Sequence, residues 1–155
     1  MDAKVKQESS PDPARKEAMR LLAQATLAEL KDAWEALADR PEVHPVRGPE
    51  TGLVMVRGRI GGGGDPFNLG EATVSRATVR LSTGEIGHGQ LLGTDKERAR
   101  FAAIFDALSQ RGGDKAGVDA LLGRVAERLA QDERRKAEET AATRVDFFTM
   151  VRGDD

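Results

Sequence analysis

Four arginines carry the clearest chemical signal in this chain. Arg57 and Arg59 lie two apart in one alternating stretch, and Arg76 and Arg80 lie four apart in another. Under the two-residue period of a strand, each pair shares one sheet face. If the two strands pair with those faces together, four guanidinium groups converge. Such a planar, permanently charged cluster suits a polyphosphate or an acidic partner. The competing reading is a solvated sheet face with ion pairs to Glu50, Glu71 or Glu85, because an antiparallel sheet normally keeps one polar side.

Other chemistry is sparse. His44 and His88 are far apart in sequence, and neither has a second ligand at metal spacing. His88, between Gly87 and Gly89, reads either as a general base or as a structural or exposed histidine. The run Gly61-Gly62-Gly63-Gly64 invites comparison with phosphate-binding loops, whose backbone N–H groups cradle anions. No Gly-Lys-Ser/Thr follows it, and the dinucleotide fingerprint fails at Pro66 or Phe67. It therefore reads as a long hairpin connection. There is no Gly-x-Ser-x-Gly and no aspartate pair framed for metal-assisted hydrolysis. No catalytic and no metal-ligating residue is assigned, which favours a subunit or binding module over a self-contained enzyme.

The elements that must position the arginines follow from periodicity. At 155 residues the chain fits one domain, with a core that buries roughly 70% of the unfolded surface. Residues 1–12 read as a disordered leader, and 13–155 as a single α+β domain. Asp12 caps a first helix with Pro13 at its first position, and Thr26-Leu27-Ala28-Glu29 has capping-box form for a second. Four strands are expected next: a short edge strand from Glu42 to Arg47, then 52–60, 72–81 and 85–92. They form an antiparallel meander. Two helices follow. Thr94-Asp95-Lys96-Glu97, a second capping-box sequence with Thr94 at the cap, starts one, with Phe101, Ile104, Phe105 and Leu108 at helical spacing. The other runs from about Asp114 to Thr143 and loses its apolar stripe after Leu129.

The C-terminus is the odd stretch. Two of the five Phe stand in Arg144-Val145-Asp146-Phe147-Phe148-Thr149-Met150-Val151. As a strand it is apolar on both sides, so Val145, Phe147, Phe148, Met150 and Val151 are read as partner-binding residues of an assembly tail, 144–155. The expected order is αα-ββββ-αα-β, with the last strand pairing with a partner chain.

Composition excludes several classes. Cysteine is absent, which removes disulfides and thiolate sites. A net charge of -2 argues against a general nucleic-acid binder. No apolar run is long enough for a bilayer span and no secretory h-region opens the chain, so it reads as soluble and cytoplasmic.

Three segments together resemble one family. They are Glu50 to Val54, Gly70 to Leu81, and Thr143 to Asp154 with its Arg-Val-Asp-Phe-Phe-Thr-Met-Val-Arg-Gly-Asp ending. They are similar to the G subunit of the carbon–phosphorus lyase core complex, the PhnG family. The resemblance covers about residues 15–155. The Gly61–Gly64 tract is more uniform than the family's usual Gly-Gly-x-Gly. The resemblance implies work with the H, I and L subunits, making α-D-ribose 1-methylphosphonate 5-triphosphate from ATP and methylphosphonate and displacing adenine. It also implies a hetero-octameric core with two copies each of G, H, I and J. ATP is then a substrate of the complex, and no cofactor is bound by this chain. The tail implies a structural role. Direct binding of ATP phosphates or phosphonate by Arg57, Arg59, Arg76 and Arg80 is the alternative.

Overall fold

The computed structural model describes residues 12–142. Helix α1 spans Pro13–Gln24 and α2 spans Leu27–Glu35. The Asp12 carboxylate accepts the Ala14 N–H, and Thr26 and Glu29 form the reciprocal capping box that their spacing predicts. Strand β1 spans Val43–Arg59, β2 spans Pro66–Leu81 and β3 spans Ile86–Leu92. Helix α3, Lys96–Leu108, and α4, Lys115–Ala142, complete the described chain. Asp95 rather than Thr94 caps α3, accepting the Arg98 N–H. The sheet is antiparallel in the order β1-β2-β3.

The fold is α+β as expected, but the strand count differs. Among the described residues there are three strands, because the two segments expected before the glycine run are one strand. Gly48, at φ 68°, sits where the β1–β2 register shifts between Arg47 and Glu50. A bulge there absorbs the irregularity without ending the ladder. The glycine connection is also shorter than expected. Pro66 to Gly70 already belong to β2, and positive φ at Gly61 and Gly62 turns the chain at the tip.

The core forms where α3 lies across the base of the sheet. Ala77, Val79 and Leu81 of β2 and Leu91 of β3 alternate onto one buried face. Every residue from Phe101 to Leu108 of α3 is buried, as expected of a helix packed on all sides. Leu21, Leu22 and Ala25 of the α1 region, Leu30 of α2, and Val118, Leu121 and Val125 of α4 join the same cluster. Burying each large aliphatic or Phe side chain contributes about 1.5–3 kcal/mol.

Two glycines permit the close helix–sheet approach. A Cβ on Gly87 would stand 2.0 Å from the Ala103 carbonyl oxygen, and one on Gly89 would stand 2.1 Å from that of Ala99. The Gly87-His88-Gly89 triplet therefore works as a contact surface for α3.

Candidate functional site

The four arginines do not converge. Arg57 pairs opposite Asn68 and Arg59 opposite Pro66, whereas Arg76 pairs opposite Glu50 and Arg80 opposite His44. Asn68 and Arg76 are eight β2 residues apart, a separation of roughly 26 Å. The reason is hairpin geometry. With the turn near Gly61–Gly64, positions close to the turn must pair with each other, and Arg76 and Arg80 lie far from it. The expected convergence is thus corrected to two separate pairs at opposite ends of the β1–β2 ribbon.

The two ends differ chemically. Arg76 Nε donates to Glu50 Oε1 at 2.7 Å, and Arg47 Nε reaches the same oxygen at 2.9 Å. The Arg76 hydrogen bond holds the Glu50 carboxyl below its usual range, and the charge of Arg47 adds to this. At the tip, Arg59 Nη1 donates to the Gly64 carbonyl at 3.1 Å. Arg57, Gly58, Arg59, Gly62 and Pro66 line an open cavity of about 620 Å³.

The most unusual feature of this region is its lack of cover. From Val43 to Thr73 every residue is exposed or half-buried. Leu53 is 64% exposed, Ile60 76% and Leu69 63%, and Met55, Val56 and Phe67 are exposed beside them. Thr51 Oγ1 lies 3.0 Å from Ser75 Oγ, and Ser75 is fully buried on the core face of β2. By alternation Leu53 and Met55 carry that same face outward, past the reach of α3. Nearer the tip, Gly58 leaves room for Leu69 and Phe67, on the side opposite Arg57 and Arg59. Exposed apolar surface of this extent makes the ribbon the candidate interaction site of the described chain. A two-stranded ribbon is in any case only marginally stable by itself in water.

His88 belongs to the domain body. Its backbone N–H donates to Asp106 Oδ2 at 2.8 Å, and its Nδ1 lies 3.1 Å from Thr78 Oγ1. The buried Asp106 carboxylate also takes Arg15 in a two-pronged pair at 3.0 and 2.8 Å. This Arg15–Asp106–His88 node ties α1, α3 and β3 together, and sequence reasoning missed it. Its signal was an aspartate inside the apolar run Ile104-Phe105-Asp106-Ala107-Leu108. His44 contacts Glu42 at 3.8 Å. Among the described residues, no group of His, Asp and Glu could hold a metal ion. No described helix is long and apolar enough to cross a membrane.

Helix α4 buries only Val118, Leu121 and Val125. Arg128 anchors its middle, donating to Glu29 Oε1 at 2.8 Å and to the Gln24 carbonyl at 2.9 Å. The Arg128 hydrogen bond holds the Glu29 carboxyl below its usual range. From Ala130 to Ala142 every residue except Asp132 is exposed. The expected partner-binding residues Val145, Phe147, Phe148, Met150 and Val151 lie outside the described residues.

Comparison with known proteins fits the segments singled out above. Residues 13–153 match the family model described as phosphonate metabolism protein PhnG. The α-D-ribose 1-methylphosphonate 5-triphosphate synthase subunit PhnG of Rhizobium meliloti (strain 1021) is 72% identical over 155 residues, spanning 100% of this chain and 99% of that protein. The matched span takes in the bare ribbon, the glycine turn and most of the C-terminal run, so this chain belongs to the PhnG family.

Proposed function

We propose that this chain is an assembly subunit of an α-D-ribose 1-methylphosphonate 5-triphosphate synthase in the carbon–phosphorus lyase system. With H, I and L subunits it serves the reaction of ATP and methylphosphonate that displaces adenine. With H, I and J it forms a core of paired copies in the cytoplasm. The observation that carries this reading is the β1–β2 ribbon. It holds six exposed large apolar side chains from Leu53 to Leu69. The charged second half of α4 and the apolar run Val145–Val151 add a second contact region.

The test is capture of a co-expressed I subunit by the full chain and by a chain ending at Thr143. Loss of capture on truncation is expected, and undiminished capture would sink the role of the tail. A second reading is favoured by the cavity at the tip. There Arg57 and Arg59 bind phosphate or phosphonate oxygens of the shared substrate, while Arg76 is engaged by Glu50. Arg80 lies at the ribbon's base, apart from that cavity. Replacing Arg57 and Arg59 by Gln should then lower product formation by the assembled complex with assembly intact. Unchanged product formation rules the second reading out.

A further inference from the structure

We propose that the open edge of β2 beyond β3 receives Val145–Val151 of a second copy of this chain, added as a strand. The proposal rests on the assembly reading and deepens it by naming the partner that takes the tail.

The edge is defined by where β3 stops. The last β3 pairing is Leu92 with Val74, and the Gly93 N–H closes the ladder on the Thr73 carbonyl at 2.9 Å. Among the described residues, β2 from Ala72 back to Pro66 is paired with β1 alone. None of these residues is buried. An unpaired edge of this kind presents backbone donors and acceptors in strand register, a template for strand addition. Phe67 and Leu69 add exposed apolar surface beside it.

The occupant follows from what lies beyond Ala142. The thirteen residues 143–155 include Val145–Val151, a seven-residue segment with five strand formers, Val145, Phe147, Phe148, Thr149 and Val151, and apolar residues at both alternating sets of positions. The open stretch Pro66–Ala72 is also seven residues. Both measure about 23 Å as strands. The tail segment carries a single charge, Asp146, so it needs cover of its own. Pairing would satisfy the edge and cover the tail at once.

Reach argues for a second copy over the same molecule. Helix α4 packs on α1, α2 and α3, while α3 packs on the sheet. Layer spacings of about 8–10 Å put α4 roughly 20 Å from the sheet. Only Thr143 and Arg144 separate Ala142 from Val145. Two extended residues span at most about 7 Å. The thirteen residues Ala130–Ala142 meanwhile carry the helix about 20 Å beyond its packed part. That geometry hands the segment to a neighbour, and a reciprocal exchange closes a two-fold pair.

The absence of cysteine makes the test clean. Full-length chains carrying Asn68→Cys and Thr149→Cys, each with its own tag, are co-expressed and treated with a short bis-maleimide. Neighbouring positions 67–70 and 147–150 are scanned so that a register slip does not hide the contact. A covalent pair carrying both tags is expected, and the native mass should be twice the chain mass, falling to one chain after truncation at Thr143. A single chain carrying both cysteines is the within-chain control, and the proposal is overturned if only that chain links to itself, if no pair in the scan links, or if the full chain is monomeric. A failed link with truncation still abolishing I-subunit capture removes this assignment and leaves the assembly reading standing. A formed link with capture undiminished removes the tail from subunit capture and leaves the exchanged pair.

Discussion

Near its base the β1–β2 hairpin has β3 on one edge and α3 on one face; near its tip it has neither. The pairing is continuous between the two halves, interrupted only by register shifts. Pairing between β1 and β2 therefore does not explain the difference. At the base, glycines let a helix lie against the sheet, and a buried carboxylate fixes it there. At the tip, the apolar alternation continues with no layer among the described residues to bury it. Apolar residues left bare by the described elements are the reason for proposing cover from a partner.

Substitutions should separate the halves. The largest effect is expected from Gly87→Ala, whose Cβ would overlap the Ala103 carbonyl. Moving α3 off the sheet should cost about 3 kcal/mol or more, read as a large drop in Tm. Asp106→Ala should follow at about 2–3 kcal/mol, because it strands the His88 N–H and releases Arg15. A Tm loss for either variant no greater than that of a ribbon variant would erase the distinction.

A smaller effect belongs to the clamp between α2 and α4. Glu29→Gln should cost roughly 1 kcal/mol at neutral pH. Its folded-state carboxyl is held low by Arg128, so its contribution is present above the unfolded value of about 4.3 and is lost as pH falls through the lower folded value. The acid limb of a stability–pH curve should flatten in the variant. An unchanged limb would remove Glu29 from the account. The smallest stability effect is expected at the tip. Leu53→Ser and Leu69→Ser should shift unfolding by no more than about 0.5 kcal/mol, since both side chains are already in water. A loss comparable to that of Asp106→Ala would mean that the ribbon is part of the core after all.

The helices were readable because their signals are local. Asp12-Pro13, the Thr26–Glu29 box and the spacing of Phe101, Ile104, Phe105 and Leu108 each act within one or two turns, and each is found in the structure. Strand continuity was harder. Gly48 and Pro49 look like a break, and only the pairing with β2 shows that the ladder resumes. The arginine pairs failed for a related reason. Faces follow from a two-residue period, but convergence depends on register, which is set by the turn position. Asp106 and its partner Arg15 are 91 positions apart, a link that no local pattern encodes. The Gly87-His88-Gly89 triplet was noticed for its histidine, whereas the glycines carry the structural work.

The central claim is that the tip of the ribbon serves assembly and the base serves folding. Leu53→Asp with Phe67→Asp, introduced in the full chain and co-expressed with a tagged I subunit, tests it most directly when Tm and capture are measured on the same preparation. Capture should fall at least tenfold while Tm stays at the wild-type value. Full capture by a folded double variant would contradict the claim.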